Sequence, residues 1–182
     1  MPHYDRIDFN LLDVNELRKL SEAELRKLIV IPLLRDYLRA ENIIDSCGTN
    51  EYGIDVYFEW YDIFSHVRYF GIQIKKGNLI YRNRPDKDPN IITICNQIKS
   101  AFSKEIRFAD SNNGRVDKNI DGFYIIISGE TNDQTKTYIY QERKSYPYIH
   151  IIDGNELLKI IKNRELYKRS RDNALLIIRR HF

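Results

Sequence analysis

Residues 53–76, GIDVYFEWYDIFSHVRYFGIQIKK, decide the fold because they combine two strand-like runs with one short connection. Ile54–Tyr61 and Val67–Lys76 are rich in β-branched and aromatic residues, which favour strands. Asp62–His66 supply only five residues between the two runs, a length typical of hairpin loops. The segment therefore predicts an antiparallel hairpin.

The register of this hairpin brings three polar side chains together. If Tyr61 pairs with Val67 across the loop, residues further along both strands have fixed partners. Asp55 then lies directly opposite Gln73, and Lys75 lies diagonally beside Asp55. Directly opposed Cβ atoms are roughly 5 Å apart, so a carboxylate, an amide and an ammonium are predicted to converge.

Side-chain alternation along the strands supports the same grouping. Successive residues of a strand point to opposite faces, so Gln73 and Lys75 share one face of their strand. In the first strand, alternation puts Asp55 on a face with Tyr57 and Glu59. The opposite faces are predicted to carry Ile54, Val56, Phe58, Trp60, Ile72 and Ile74.

This convergence suits a site for a divalent cation. A carboxylate and an amide oxygen can jointly hold Mg²⁺, which prefers oxygen ligands, and a bound metal lowers the pKa of a coordinated water. The Lys75 ammonium can stabilise charge that develops on a phosphate. Gly53, opposite Lys75, is expected to leave room for a phosphate backbone. A solvated polar strand face without chemistry is the alternative.

The rest of the chain interleaves helices with short strands, which predicts one α/β domain with a sheet between helical layers. Ser21 and Glu24 form a capping-box pattern that starts a helix over 21–40, and Pro32 within it predicts a kink. The other predicted helices span 14–20, 91–108, 132–144, 155–163 (capped by Asn155) and 165–180, and the other predicted strands span 43–47, 121–128 and 148–152.

Length and composition fit one globular domain. The chain has 182 residues, of which 42% are hydrophobic and 30% charged, with a net charge of +3. The longest apolar stretch, Leu28–Leu34, is too short to span a membrane, and the N-terminus lacks a signal-peptide pattern. We therefore expect a cytoplasmic protein without membrane contact, in which Cys47 and Cys95 are buried, reduced thiols.

Two clusters of positive charge are candidates for contact with nucleic acid. Lys76, Arg82 and Arg84 follow the second strand into a predicted polar loop, where they can hold DNA phosphates or act as ordinary surface charges. From Lys159 to Phe182 there are eight Lys or Arg residues and two acids. This second cluster is either a phosphate-binding face or a solvated helix surface.

Several motifs, in order along the chain, resemble those of the PD-(D/E)XK nucleases. GIDV at 53–56 followed by GIQIK at 71–75 is similar to the signature of that superfamily. In particular, it is similar to the Mrr-like restriction endonuclease branch, in which glutamine replaces the second acid. SEAELRKLIVIPLL at 21–34 resembles the first helix of that family, while DGFYIIISG at 121–129 and IHIIDGNELL at 149–158 resemble later core strands and the step into a helix.

The resemblance, which covers residues 21–161, implies a role for each matching residue. Asp55 and Gln73 match metal ligands, and the main-chain carbonyl of Ile74 matches a third. Lys75 matches the catalytic lysine. The implied cofactor is Mg²⁺ or Mn²⁺. The implied fold is a restriction-endonuclease-like three-layer α/β/α sandwich around a mixed sheet of about five strands.

The family also places an acidic residue of its first helix near the metal. Both Glu22 and Glu24 are available for that position. Glu22 is preferred because it projects nearer the apolar stripe of the helix, which faces the core.

The function implied is a metal-dependent endonuclease that hydrolyses DNA phosphodiester bonds in restriction or anti-phage defence, as a homodimer or higher oligomer. Gln73 removes one negative charge and should weaken metal binding relative to an all-acid site. A structure-specific, junction-type nuclease and a non-catalytic nucleic-acid-binding or assembly module are the alternatives. The nuclease core is predicted over 21–162, after a lead-in at 1–20. The C-terminal helix expected at 163–182 either packs on this domain or links it to a further domain or a partner.

Overall fold

The structure, a computed structural model, describes residues 12–46, 53–81, 89–109, 115–146 and 148–163. Five of its strands form one mixed sheet and two form a separate hairpin, which confirms the α/β class. The strands are β1 (Glu41–Asp45), β2 (Val56–Tyr61), β3 (Val67–Lys75), β4 (Ile106–Ala109), β5 (Arg115–Lys118), β6 (Gly122–Ile127) and β7 (Ile149–Ile152). The large sheet has the order β1-β2-β3-β6-β7, and β4 pairs with β5.

Helices precede and connect these strands. None in the described ranges is both long enough and apolar enough to cross a membrane. The helices are α1 (Val14–Lys19), α2 (Glu22–Leu25), α3 (Pro89–Ser103), α4 (Asp133–Ile139) and α5 (154–163). Two π-helical stretches, Arg26–Val30 and Leu33–Leu38, continue α2, and a 3₁₀ stretch, Tyr140–Lys144, continues α4.

The central hairpin has the predicted register. β2 and β3 are antiparallel, with Tyr61 opposite Val67 and Val56 opposite Ile72. Beyond β3 the sheet becomes parallel, because β6 pairs with β3 and β7 pairs with β6 in the same direction. Parallel neighbours need crossover connections, which contain α3 and α4. The C-terminal end of β3 therefore lies beside the C-terminal end of β6, and Asp55, just before β2, reaches the same level.

Two apolar clusters cover the faces of the sheet. One contains Ile98 of α3 together with Ile125 of β6. The other contains Leu25 of α2 and Leu157 of α5, together with Ile126 of β6. Consecutive residues of β6 thus enter different clusters, as strand alternation requires. The buried apolar residues on both faces fix the register of the strands that carry the polar residues.

The helical hydrogen bonding changes around Pro32, the residue at which a kink was predicted. Pro32 has no N–H group to donate within a helix. The chain is π-helical on both sides of it, over Arg26–Val30 and Leu33–Leu38. The predicted capping box is confirmed, because the Ser21 hydroxyl accepts from the Glu24 N–H and the Glu24 carboxylate accepts from the Ser21 N–H.

Two predicted helix boundaries are wrong. The helix predicted to run to residue 108 ends at Ser103, and a short hairpin of β4 and β5, which the sequence did not reveal, follows it. The last described helix is capped by Asp153, not Asn155. The Asp153 carboxylate accepts hydrogen bonds from the N–H groups of Asn155 and Glu156, both at 3.1 Å. Aspartate is a strong N-cap residue for the same reason as asparagine.

The predicted lead-in is, from residue 12 onward, part of the packed core. Leu12 and Leu17 are buried in the same cluster as Leu25, so the boundary expected at residue 20 divides one packed unit. Cys95 is a buried free thiol, as predicted, and burial raises its pKa to about 11. The predictions for Cys47, for Arg82 and Arg84, and for the helix over 165–180 lie outside the described residues.

We expect Ile125→Ala to lower the free energy of unfolding by about 2–5 kcal/mol, because truncation of a buried isoleucine leaves a cavity. Ile125 has 0% of its surface exposed in β6. Ile63, 89% exposed in the hairpin loop, is the control, and Ile63→Ala should change stability by about 0.5 kcal/mol or less. Urea denaturation followed by circular dichroism measures both variants. Equal effects would contradict the packing described.

Candidate active site

Asp55 closes the end of the β2–β3 ladder with its side chain. Its N–H donates to the carbonyl of Ile72 at 2.8 Å. Because Ile72 is already the partner of Val56, the ladder shifts by one residue here, and Asp55 is not paired with Gln73 as predicted. The next N–H along β3, that of Ile74, donates instead to Oδ2 of the Asp55 carboxylate, at 2.6 Å. The carboxylate thus occupies the place of a strand carbonyl, and charge-assisted hydrogen bonds of this type are strong. Asp55 is fixed by backbone geometry.

Arg26 faces the other oxygen of this carboxylate. Its side chain is 5% exposed, and Nη1 lies 3.8 Å from Asp55 Oδ1, while Nε lies 2.9 Å from Asp45 Oδ1. A buried guanidinium requires such partners, because an uncompensated buried charge is costly. The sequence reading missed Arg26. The sequence indicates its role only through its position, because it is a charged residue next to the apolar stripe of the helix and four positions after Glu22.

Glu22 and Glu24, the two candidate helical acids, have different surroundings. Glu22 Oε1 accepts a hydrogen bond from the N–H of Lys76 at 3.0 Å, so it lies at the end of β3. The carboxylate of Glu24 is engaged in the capping box with Ser21. The preferred acid is therefore the one placed beside the strand that carries Lys75.

Gln73 is almost completely buried, with 1% of its surface exposed. Its Nε2 donates to Oε1 of Gln97 on α3. Its own Oε1 is buried and accepts no hydrogen bond within the described part of the protein. A buried carbonyl oxygen without a partner is unusual and costly. This oxygen is the atom that the sequence assigned to a metal ion.

A polar cleft of about 280 Å³ opens at this end of the sheet. Glu22, Lys75 and Lys76 line one part of it. The rest of the wall comes from the loop after β3, from the start of α3 and from β6: Asn78, Leu79, Asn90, Thr93, Ile94 and Ile127. Asp55 and Gln73 do not line the cleft. Gln73 is buried, whereas Asp55 and Lys75 are both partly exposed.

Burial dominates the electrostatics of Asp55. It raises the pKa of this carboxyl above its ordinary value, and the nearby Glu22 carboxylate raises it further. The N–H of Ile74 and the positive charges of Lys75 and Arg26 act in the opposite direction without cancelling the rise. An ionised Asp55 is thus less favourable here than in water, and a divalent cation would offset that cost.

Two expectations for the start of β2 are wrong. Ile54 lies in the cluster that contains Tyr57, not on the face of Val56. Simple alternation fails there because the regular strand begins only at Val56. Gly53 does not leave room for a phosphate, because a Cβ built on it would lie 2.5 Å from the Cβ of Gln97. The side chain of Gln97 on α3 fills the space beside Gly53.

The residues present fit a hard cation better than a softer metal. Among the described residues, no three His, Cys, Asp or Glu side chains cluster to hold a metal ion. The predicted ligand set instead combines the carboxylates of Asp55 and Glu22 with the amide oxygen of Gln73 and the main-chain carbonyl of Ile74. An all-oxygen set of this kind matches the preference of Mg²⁺ or Mn²⁺, and the unpartnered Gln73 oxygen fits it.

Comparison with protein-family models, with curated proteins and with solved structures finds no match for this chain. The resemblance to PD-(D/E)XK nucleases therefore stays a prediction that rests on the sequence motifs.

We expect Asp55→Asn to raise the thermal unfolding midpoint in EDTA near neutral pH. The folded-state pKa of Asp55 is raised, so its charge destabilises the fold once the pH exceeds the ordinary value of 3.8. The asparagine carbonyl can still accept from the N–H of Ile74. The advantage of the variant should shrink as the pH falls below 3.8. Thermal scans at both pH values measure it.

Asp117 is the matched control because the exposed Arg107 hydrogen bond lowers its pKa. Asp117→Asn should therefore decrease stability slightly, the opposite direction. If Asp55→Asn also destabilised the metal-free protein near neutral pH, the pairing with Arg26 would outweigh burial, and the description of this carboxyl would be wrong.

Proposed function

We propose that this protein is a metal-dependent endonuclease that hydrolyses DNA phosphodiester bonds, in restriction or anti-phage defence. The observation that carries the proposal is the arrangement at the end of β3. There Asp55 is bound to the Ile74 N–H, Glu22 is bound to the Lys76 N–H, and Lys75 shares a cleft with Glu22. A carboxylate and an ammonium that line one polar cleft, with a second carboxylate held at the end of the same strand, suit phosphoryl chemistry.

The metal would be held by Asp55, Glu22, the Gln73 oxygen and the Ile74 carbonyl. When bound, Mg²⁺ or Mn²⁺ polarises a phosphate oxygen and lowers the pKa of a coordinated water. The Asp55 carboxylate is already oriented before a metal binds, because its Oδ2 accepts a hydrogen bond from the Ile74 N–H. The neutral amide of Gln73 leaves the site with fewer negative charges than an all-acid site. We therefore expect weaker metal binding, so that a higher metal concentration is needed to fill the site.

Lys75 would act directly on the reacting phosphate. Water attacks phosphorus, a new P–O bond forms, and the bond to the leaving oxygen of the sugar breaks, with a proton passing to that oxygen. Negative charge increases on the phosphate oxygens during this exchange, and the Lys75 ammonium in the cleft stabilises it. No covalent link to the protein is required, because water is the nucleophile.

DNA would approach through the cleft between β3 and α3. Lys76 is exposed at its edge and offers one phosphate contact. Asn90 and Thr93, in the first turns of α3, line the opposite wall. The N-terminus of this 15-residue helix lies at the same place, where its dipole favours a phosphate.

Double-strand cleavage would require two such sites, so we propose a homodimer or higher oligomer acting on DNA in the cytoplasm. A branched-DNA substrate in place of linear duplex would instead indicate a junction-type nuclease with the same centre. Retained DNA binding without cleavage would indicate a non-catalytic binding module, or a need for an activator or further domain.

We expect Lys75→Ala and Asp55→Asn each to reduce Mg²⁺-dependent cleavage of plasmid DNA by about 100-fold or more, since both remove groups that stabilise the transition state. EDTA should abolish cleavage by the wild type, and Mn²⁺ should restore it. Lys144→Ala, at an exposed lysine after α4, is the matched control and should cleave like the wild type. Equal activity in all four proteins would eliminate the active-site proposal.

We expect Lys76→Ala to weaken binding to DNA of any sequence and to reduce the slope of log affinity against log salt by about one. In this proposal the Lys76 ammonium binds a phosphate of the DNA backbone and makes no contact with a base. Fluorescence anisotropy with labelled duplex at several salt concentrations measures the slope. An unchanged slope would remove Lys76 from the proposed DNA surface.

A further inference from the structure

We infer that Gln97 is a positioning residue, which turns the Gln73 amide so that its oxygen, not its nitrogen, is offered to the metal. This inference rests on the proposed function. An amide side chain has nearly the same shape in both orientations, yet only its oxygen can bind a cation. A neighbour that fixes the oxygen-facing orientation prepares the ligand before the metal binds.

The hydrogen bonding around Gln73 makes that selection. Nε2 of Gln73 donates to Oε1 of Gln97, which can only accept. The nitrogen is thereby directed to α3, and the oxygen is left without a protein partner. If the Gln73 amide alone were reversed, Gln97 Oε1 would face another oxygen and the two would repel. The selection thus depends on the orientation of Gln97 in the structure, with its Oε1 towards Gln73. Gln97 thus keeps the oxygen of Gln73 available at the cost of leaving it unpaired.

Gln97 also packs against the turn at Gly53. Gly53 has a φ of +79°, a conformation that side chains disfavour, and a Cβ there would lie 2.5 Å from the Cβ of Gln97. The glycine turn that leads into Asp55 therefore packs directly against Gln97. One side chain of α3 contacts both segments that carry predicted metal ligands.

The placement of Gln97 on α3 is also unusual for a glutamine. The inward face of α3 is otherwise apolar, with Ile94, Ile98 and Ala101 buried. Gln97 lies on the same side, three residues after Ile94, and is only partly exposed. A polar side chain facing the core needs a partner, and Gln73 supplies it. Residues that orient metal ligands in this way typically change metal affinity by about 10–100-fold when removed.

The test compares Gln97→Met, Gln97→Glu and the control Asn96→Met, an exposed position on the same helix. Methionine has a similar size but cannot orient the amide, whereas glutamate can still accept from Gln73 Nε2. Mn²⁺ binding is measured by isothermal titration calorimetry on DNA-free protein, together with thermal unfolding of each variant.

We expect Gln97→Met to raise the Mn²⁺ dissociation constant by about 10-fold or more. Gln97→Glu should stay closer to the wild type than to Gln97→Met, and Asn96→Met should match the wild type. In cleavage assays Gln97→Met should need more Mn²⁺ for half-maximal rate, while the rate at saturating Mn²⁺ stays near that of the wild type. Unchanged Mn²⁺ affinity in a folded Gln97→Met would overturn the inference and leave the proposed function standing.

A measurement on the wild type covers the case in which Gln97→Met fails to fold. With ¹⁵N-labelled glutamine, the Gln73 side-chain NH₂ signal, assigned by its loss in Gln73→Glu, should exchange slowly with and without Mg²⁺. The exposed Gln134 provides the fast reference. Exchange of Gln73 as fast as Gln134 would overturn the inference. Failure of the wild type to bind any divalent ion would instead overturn the proposed function, and the inference with it.

Discussion

The hydrogen bond from the Ile74 N–H to the Asp55 carboxylate is the contact on which the rest of the site depends. At 2.6 Å it replaces a strand-to-strand bond with a bond to a side chain, just where the β2–β3 ladder ends. The carboxylate is thereby fixed relative to β3, and so to Gln73 and Lys75 on either side of Ile74. The same bond lowers the pKa of Asp55 against burial, which raises it. Position and charge of the carboxylate are therefore set together.

Much of this arrangement could be predicted from sequence because a hairpin has few degrees of freedom. Once the loop length fixed Tyr61 opposite Val67, the pairing of the two strands followed, and the structure has that register from Val56 to Tyr61. The register does not extend to Asp55, whose N–H bonds to Ile72. The capping box at Ser21 followed from local chemistry in the same way. Strand order could not be derived so directly, since the parallel pairing of β3 with β6 depends on contacts more than 40 residues apart in the chain.

The contacts that the sequence could not reveal all join separate elements. Arg26 reaches Asp55 from the π-helical stretch after α2, and this irregular helix shifts the phase that a regular helical wheel assumes. Gln97 reaches Gln73 and Gly53 from α3. The sequence of residues 77–90 has no periodic pattern that would fix the rotation of this helix about its axis. Residue spacing determines which side chains share a face, but not how two elements from opposite faces meet.

The central claim is that Asp55 and Gln73 bind one divalent ion. Crystals of the protein soaked in Mn²⁺ and measured at a wavelength with manganese anomalous scattering test it most directly. The account predicts a single strong anomalous peak within about 2.0–2.3 Å of the Asp55 carboxylate and Gln73 Oε1. A fully soaked crystal without manganese between Asp55 and Gln73 would contradict this claim. Manganese bound elsewhere, while Arg26 still faces Asp55, would contradict it as well.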